Sequence, residues 1–271
     1  MLRFAFSNIA WTPHDAPPVL RLLRERGIRG IEVAPTKVWP DWLGATPAAA
    51  AEYRHRLEGE GFVVPALQAV LFGQPNARLF DTAGEVALVA HLMRIAELAG
   101  AFGAKAVVLG APKQRDRGAL TTETAHAHAA GVFRRLAPGF ADRGTCLCIE
   151  PNPPRYGCNF VTTVAEGASL VRRVAHPGFG LHLDAAAMFL VGDELRAAWA
   201  DVGALVRHYH ISEPDLGDFT APQVPHAENL AALRAYGYAG WCSVEMREPP
   251  RGLESAGPWM LLQGENDERA A

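Results

Sequence analysis

Short apolar runs recur along the chain and alternate with longer stretches of helical spacing. The runs at 3–9, 29–34, 62–71, 105–110, 146–150, 179–184, 206–212 and 241–246 read as strands. Segments 17–27, 46–60, 83–103, 121–142, 164–175, 193–204 and 226–237 carry helical periodicity, several of them closed by Gly27, Gly61, Gly103 or Gly237 in the manner of C-caps. Strands alternating with helices predict repeated βα units around a parallel sheet, and a count of eight predicts an α/β chain closed into a single-domain (β/α)8 barrel. The barrel is expected to occupy residues 1–250. The remainder, 251–271, is richer in Pro, Gly and charge, which predicts a short helix around 257–263 and a disordered end.

Four consecutive strand runs end on a polar residue: Glu150, Asp184, His210 and Glu245, spaced by 34, 26 and 35 residues. In a barrel the C-terminal rim carries the chemistry, so these four are expected to converge. Three carboxylates brought together without a cation repel one another, and a set of three oxygens and one imidazole nitrogen suits a hard or borderline divalent metal. His182 and His208 share strand faces with Asp184 and His210 one layer deeper, where each either orients a ligand or packs in the core, and His182 is also a candidate to touch substrate.

Around these four, several residues are candidates for holding a substrate. Lys113, Arg115 and Arg117 follow strand 4 and offer charge-assisted donors to a phosphate or carboxylate. Glu32 ends strand 2 and Gln68 lies on strand 3, both placed to orient hydroxyl groups or to act behind the site. Asn152 follows Glu150 by two residues, Glu213 follows His210 by three, and His226 opens a helix. Trp11, Trp39, Trp42 and Phe72 lie in loops after strands 1 to 3, as sugar-facing walls or as loop anchors.

Composition narrows the classes. With 26 basic and 29 acidic residues, a formal charge of -3 and no long single-sign block, neither a nucleic-acid nor a membrane partner is expected. No Gly-x-Gly-x-x-Gly or Gly-x-x-x-x-Gly-Lys-Ser/Thr stretch is present. Cys146, Cys148, Cys158 and Cys242 form no Cys-x-x-Cys pair and read as reduced, packed thiols. The start enters a strand directly, without a signal-peptide pattern, and no apolar run approaches the roughly 18 residues of a membrane span, so a cytoplasmic protein is expected.

The segments Ile149-Glu150-Pro151-Asn152, Leu181-His182-Leu183-Asp184, His208-Tyr209-His210-Ile211-Ser212-Glu213 and Trp241-Cys242-Ser243-Val244-Glu245 resemble those of the xylose isomerase-like TIM barrels, a group that includes endonuclease IV-like (AP endonuclease 2-like) enzymes. The resemblance runs from strand 1 to strand 8. It implies a sugar, polyol or hydroxy-keto acid isomerase or epimerase. It also implies one divalent ion, Mn²⁺ first and Mg²⁺, Co²⁺ or Zn²⁺ otherwise, on Glu150, Asp184, His210 and Glu245. Glu150 and Glu245 then double as the acid/base pair that moves a carbon-bound proton through an enediolate. The partner implied is a small carbohydrate-like substrate, and a homo-oligomer is compatible with the resemblance. Where the epimerase branch has a His and an Arg, this chain has Ala187 and Leu216, so a different substrate clamp is expected. The same ligands also serve a dehydratase of an inosose-like substrate. An endonuclease IV-like hydrolase needs more histidines at the rim and more cations for a phosphate backbone.

Overall fold

The computed structural model describes residues 1–250 and 252–263. Eight strands form one parallel sheet: β1 (Arg3–Ser7), β2 (Gly30–Glu32), β3 (Ala66–Leu67), β4 (Ala106–Leu109), β5 (Leu147–Ile149), β6 (Phe179–Asp184), β7 (Val206–Ser212) and β8 (Trp241–Glu245). Their order around the sheet is β2-β1-β8-β7-β6-β5-β4-β3. The ring is nearly closed by parallel bridges from Gly30 to Val63 and from Val33 to Leu67. There the Ile31 N–H donates to Val63 O at 2.9 Å and the Gln68 N–H to Val33 O at 3.0 Å. The expected single-domain (β/α)8 barrel is what the chain forms.

Between the strands run α1 (Ala16–Glu25), α2 (Pro47–Gly59), α3 (Thr82–Phe102), α4 (Thr122–Ala141), α5 (Val164–Val174), α6 (Ala185–Val191), α7 (Leu195–Val202) and α8 (His226–Ala235), followed by α9 (Leu253–Ala256) and α10 (Trp259–Gln263). Side-chain oxygens of Thr46, Asp81, Thr121 and Thr163 accept from the first-turn N–H groups of α2, α3, α4 and α5, satisfying donors that a helix start leaves unpaired. Gly27, Gly61, Gly103 and Gly237 all sit at positive φ just past α1, α2, α3 and α8, as their spacing predicted. No helix among the described residues is long and apolar enough to cross a membrane.

Two elements differ from expectation for local reasons. The run at 62–71 yields only Ala66–Leu67 as strand, because Pro65 has no N–H to offer a ladder and Ala69 turns into the left-handed region at φ 52°. Helix α6 was not foreseen. It is one apolar stretch following β6 without a break, so it shows no amphipathic period. The expected helix around 257–263 is α10, which α9 precedes; their Leu253, Trp259 and Leu262 are buried in the main core. The expectation of a disordered end concerns 264–271, outside the described residues.

Strand alternation decides where chemistry is placed. On β5, Leu147 and Ile149 join the large core shared with the helices, while Cys146 and Cys148 pack with Ala66 and Ala106 in a separate small cluster. Glu150 continues the Cys146 and Cys148 face. All four cysteines are buried thiols outside any disulfide.

Candidate metal centre

Asp184, the last residue of β6, is also the N-cap of α6. Its Oδ1 accepts the Ala187 N–H at 2.6 Å, and its Oδ2 accepts the Ser212 hydroxyl at 2.5 Å. Ser212 Oγ in turn accepts the Ala186 N–H at 3.1 Å, so the carboxylate is held from both sides. Residues Asp184 and His210 are register partners across β6 and β7, as are Ser212 and Glu245 across β7 and β8. Four consecutive strands thereby deliver their end groups to one place.

His210 is fixed by an acid from the far side of the barrel. Its Nε2 lies 3.0 Å from each oxygen of Glu32, a residue 178 positions earlier, and Glu32 also lies 3.2 Å from His208 Nε2. With Nε2 donating to Glu32, Nδ1 is the nitrogen turned toward Glu245 and Asp184, the one a metal would bind once its proton leaves. That Nδ1 is buried and makes no hydrogen bond, although Glu245 Oε2 is 3.2 Å away and Asp184 Oδ2 is 3.7 Å away. Burial alone opposes charge on Glu32, yet His210 and His208 outweigh it and hold that carboxyl well below the usual range. Burial likewise opposes charge on His210, and Glu32 and Glu245 overcome it, raising the proton affinity of the ring.

The other acids lack such compensation. Burial, then the charges of Asp184 and Glu245, push the Glu150 carboxyl up to about 8. Burial and the charge of Glu245 push Asp184 up to about 6. These groups sit in low dielectric with too little positive charge nearby, which is the condition a bound cation relieves. The unpaired His210 nitrogen and the crowded carboxylates fit a divalent ion.

Ligand atoms of Glu150, His182, Asp184 and His210 all lie within 4.8 Å of one another. His182 therefore belongs with this group. It was expected to touch substrate, but it lies beneath the cavity with both ring nitrogens unbonded, Nε2 at 3.6 Å from Glu150 Oε1 and its ring edge-on to His210 at 4.2 Å. Burial, together with His210 and His208, keeps it far below the usual histidine range and hence neutral. Glu245 joins the group through its contact with His210. Gly110, just after β4, is where Glu150 needs room: a Cβ there would stand 2.2 Å from Glu150 Oε2.

Above this floor opens a cavity of about 510 Å³, walled by the loops after β4 to β8. Glu150, Asp184 and Glu245 line it, as do Asn152, Lys113 and Glu213. Lys113 has no polar partner among the described residues. Glu213 has several: His226 Nε2 at 2.6 Å and the N–H groups of Gln223 and Val224 at 2.9 and 3.2 Å, which tie the loop before α8 to the rim.

Three expected substrate residues are elsewhere. Arg115 turns away from the cavity, buried, with its guanidinium donating to Phe160 O, Glu150 O and Asn152 Oδ1. Glu32 lies behind His210, and Gln68 donates to Ser7 Oγ at 2.5 Å. None of the four loop aromatics lines the cavity. Trp42 Nε1 donates to Phe72 O at 2.8 Å, Trp39 packs on Tyr53 and Phe102, and Trp11 lies against Phe6, so they anchor loops.

Tyr156 and Arg247 line the cavity and were not foreseen. The signal for Arg247 was its place two residues past Glu245. Ala187 and Leu216 also line it, an apolar wall where the resemblance implied polar groups.

No curated protein sequence matches the chain. Several solved structures share its fold. The apo 3-keto-D-glucoside 4-epimerase from E. coli superposes with a TM-score of 0.76 at 18% identity, covering 100% of both chains. D-psicose 3-epimerase in the presence of D-fructose gives 0.75 at 19%, covering 94% of this chain and 88% of that one. The IOLI protein with a binding zinc atom gives 0.75 at 18%, covering 99% and 97%. At such identities these likenesses speak for the fold. Residues 20–262 also match the model of one family, and that match spans the strands that bring Glu150, Asp184, His210 and Glu245 together: the chain belongs to the xylose isomerase-like TIM barrels.

Proposed function

We propose that the protein is a divalent-metal-dependent isomerase or epimerase of a small polyol, ketose or hydroxy-keto acid, with Glu150 and Glu245 as the acid/base pair. The observation that carries this is the floor of the cavity, where three carboxylates and the oriented nitrogen of His210 gather with too little positive charge among them. The epimerases among the structural neighbours support it. Glu150, Asp184, His210 and Glu245 would hold the ion, with His182 close beneath. When bound, the ion supplies positive charge that acidifies the carbon next to a carbonyl.

The chain's own groups do the rest. Burial raises the proton affinity of the Glu150 carboxylate and a bound ion would lower it, so Glu150 would act as base between these two opposing influences. Glu245 serves from β8 as its partner, returning a proton to the carbon. Asp184, tied by the Ala187 N–H and Ser212, is held for binding and not for proton transfer. Lys113 is the cavity cation available to a substrate carboxylate or phosphate.

Incubating the Mn²⁺-loaded protein with a panel of ketoses and hydroxy-keto acids in deuterated water tests the proposal. Deuterium should enter at carbon beside the carbonyl, with product and substrate of equal composition. A product lighter by one water would assign the chain to the dehydratases instead.

A further inference from the structure

Arg115 is a buried cation with no carboxylate within ion-pair distance among the described residues, an arrangement that costs stability unless its donors are fully used. The Nη1 and Nη2 donors are used on one segment, the loop that follows β5, while the buried Nε–H has no hydrogen-bond partner among the described residues. Nη2 donates to Glu150 O at 2.7 Å and to Asn152 Oδ1 at 2.6 Å, and Nη1 donates to Phe160 O at 3.0 Å. The far end of that loop is under strain: Val161 is buried and β-branched yet has φ 58°, and its carbonyl accepts the Asn152 N–H at 3.1 Å.

The contact with Asn152 has a chemical consequence. A guanidinium only donates, whereas the Asn amide has one accepting and one donating end. With Oδ1 committed to Arg115, the amide NH₂ is the end left for Glu150, whose carboxylate lines the same cavity wall and whose proton affinity Asn152 lowers. A flipped amide would set donor against donor at Arg115 and oxygen against oxygen at Glu150.

We propose that Arg115 is a positioning residue for the metal centre: it locks the Asn152 amide so that its NH₂ faces Glu150, and with its bond to Glu150 O it fixes where that carboxylate stands. This rests on the metal-centre reading of Glu150 and adds the device that aims it. Lysine keeps the charge but not the planar fork, so Arg115→Lys isolates geometry from electrostatics.

The test uses the full-length, metal-free chain titrated calorimetrically with Mn²⁺, as parent, Arg115→Lys, Asn152→Ala and the double variant. Each single substitution should weaken Mn²⁺ binding by about tenfold, the range seen when groups behind a ligand are altered. Because both act through one amide, the double variant should also lose about tenfold and not about a hundredfold. Parent-level affinity in Arg115→Lys, or losses that multiply, would overturn the proposal. Should Arg115→Lys not fold, Asn152→Ala decides alone. It leaves the carbonyl contacts of Arg115 in place but removes one acceptor from that guanidinium, so it should fold with a lowered thermal midpoint and bind about tenfold more weakly, and parent-level binding overturns the idea.

A metal-independent readout separates this from the function proposed above. In the metal-free chain the two side-chain amide protons of Asn152 should give distinct, slowly exchanging nuclear magnetic resonance signals that shift and exchange faster in Arg115→Lys. Signals untouched by that substitution contradict the lock. A parent that takes up no Mn²⁺ contradicts the metal centre instead, and leaves the amide result to stand.

Discussion

Glu150→Gln and Glu245→Gln each lower turnover of the true substrate by about a hundred- to ten-thousandfold at saturating metal, the range of a lost general acid or base. Glutamine preserves the volume of a carboxylate and its capacity to accept a hydrogen bond. The variants therefore keep the packing under Glu150 against Gly110 and the contact of residue 245 with His210. They do not keep a group that takes a proton from carbon. Weaker metal binding should accompany the change, because both residues belong to the proposed ligand set. Assays at several Mn²⁺ concentrations separate the two effects, since a pure ligand defect recovers as the ion saturates and a lost base does not. Folded, metal-loaded variants turning over at the parent rate would remove both residues from the proton path.

The second large effect is a pH dependence of the metal-free protein that metal abolishes. Glu150 and Asp184 have folded-state proton affinities raised to about 8 and about 6. For an acid raised in this way, the folded state keeps its proton while the unfolded chain has lost it. The contribution to stability is thus present at low pH and lost as pH rises through the folded value. His210, also raised, acts in the same direction. His182 and His208 are lowered and act oppositely, but only below the ordinary histidine range near 6.5. Glu32, held very low, contributes a constant amount throughout. Between pH 7 and 8 the surviving effects share one sign, and stability should fall by up to about 1.4 kcal/mol per pH unit for each proton involved. Binding a divalent ion displaces those protons, so apparent Mn²⁺ affinity should rise by about tenfold per pH unit for each proton released. Urea unfolding with and without Mn²⁺ from pH 6.5 to 8.5 measures both. Curves that stay parallel across that range would show that the carboxylates do not meet the ion.

The barrel was legible because its signals are local. Strand periodicity placed all eight strands, and Glu150, Asp184, His210 and Glu245 stood out as polar residues where apolar runs end. What sequence could not show depends on closure of the ring or on backbone turns. The Glu32 to His210 contact joins residues on opposite sides of the barrel, so Glu32 read as a rim group and not as the acid that orients a ring. Arg115 read as a free cation because nothing local reveals that Ala111, at φ 49°, redirects the loop and that the carbonyls of Glu150 and Phe160 come to meet the guanidinium. Tyr156 is brought to the cavity by a bond between loops: its hydroxyl oxygen accepts the Asp215 N–H at 2.8 Å across 59 residues. Leu216 marked a departure from the epimerase pattern. Its left-handed backbone at φ 56°, next to Asp215 at φ 59°, is a turn in which neither left-handed position holds a glycine to signal it.

The central claim is that one cation is gripped at the C-terminal ends of β5 to β8. Anomalous diffraction from crystals soaked in Mn²⁺ tests it most directly. A single strong peak is expected within about 2.0–2.3 Å of carboxylate oxygens and of His210 Nδ1, bordered by Glu150, Asp184 and Glu245. A peak seated instead between Glu32 and His208, or no peak from protein saturated with the ion, would contradict it.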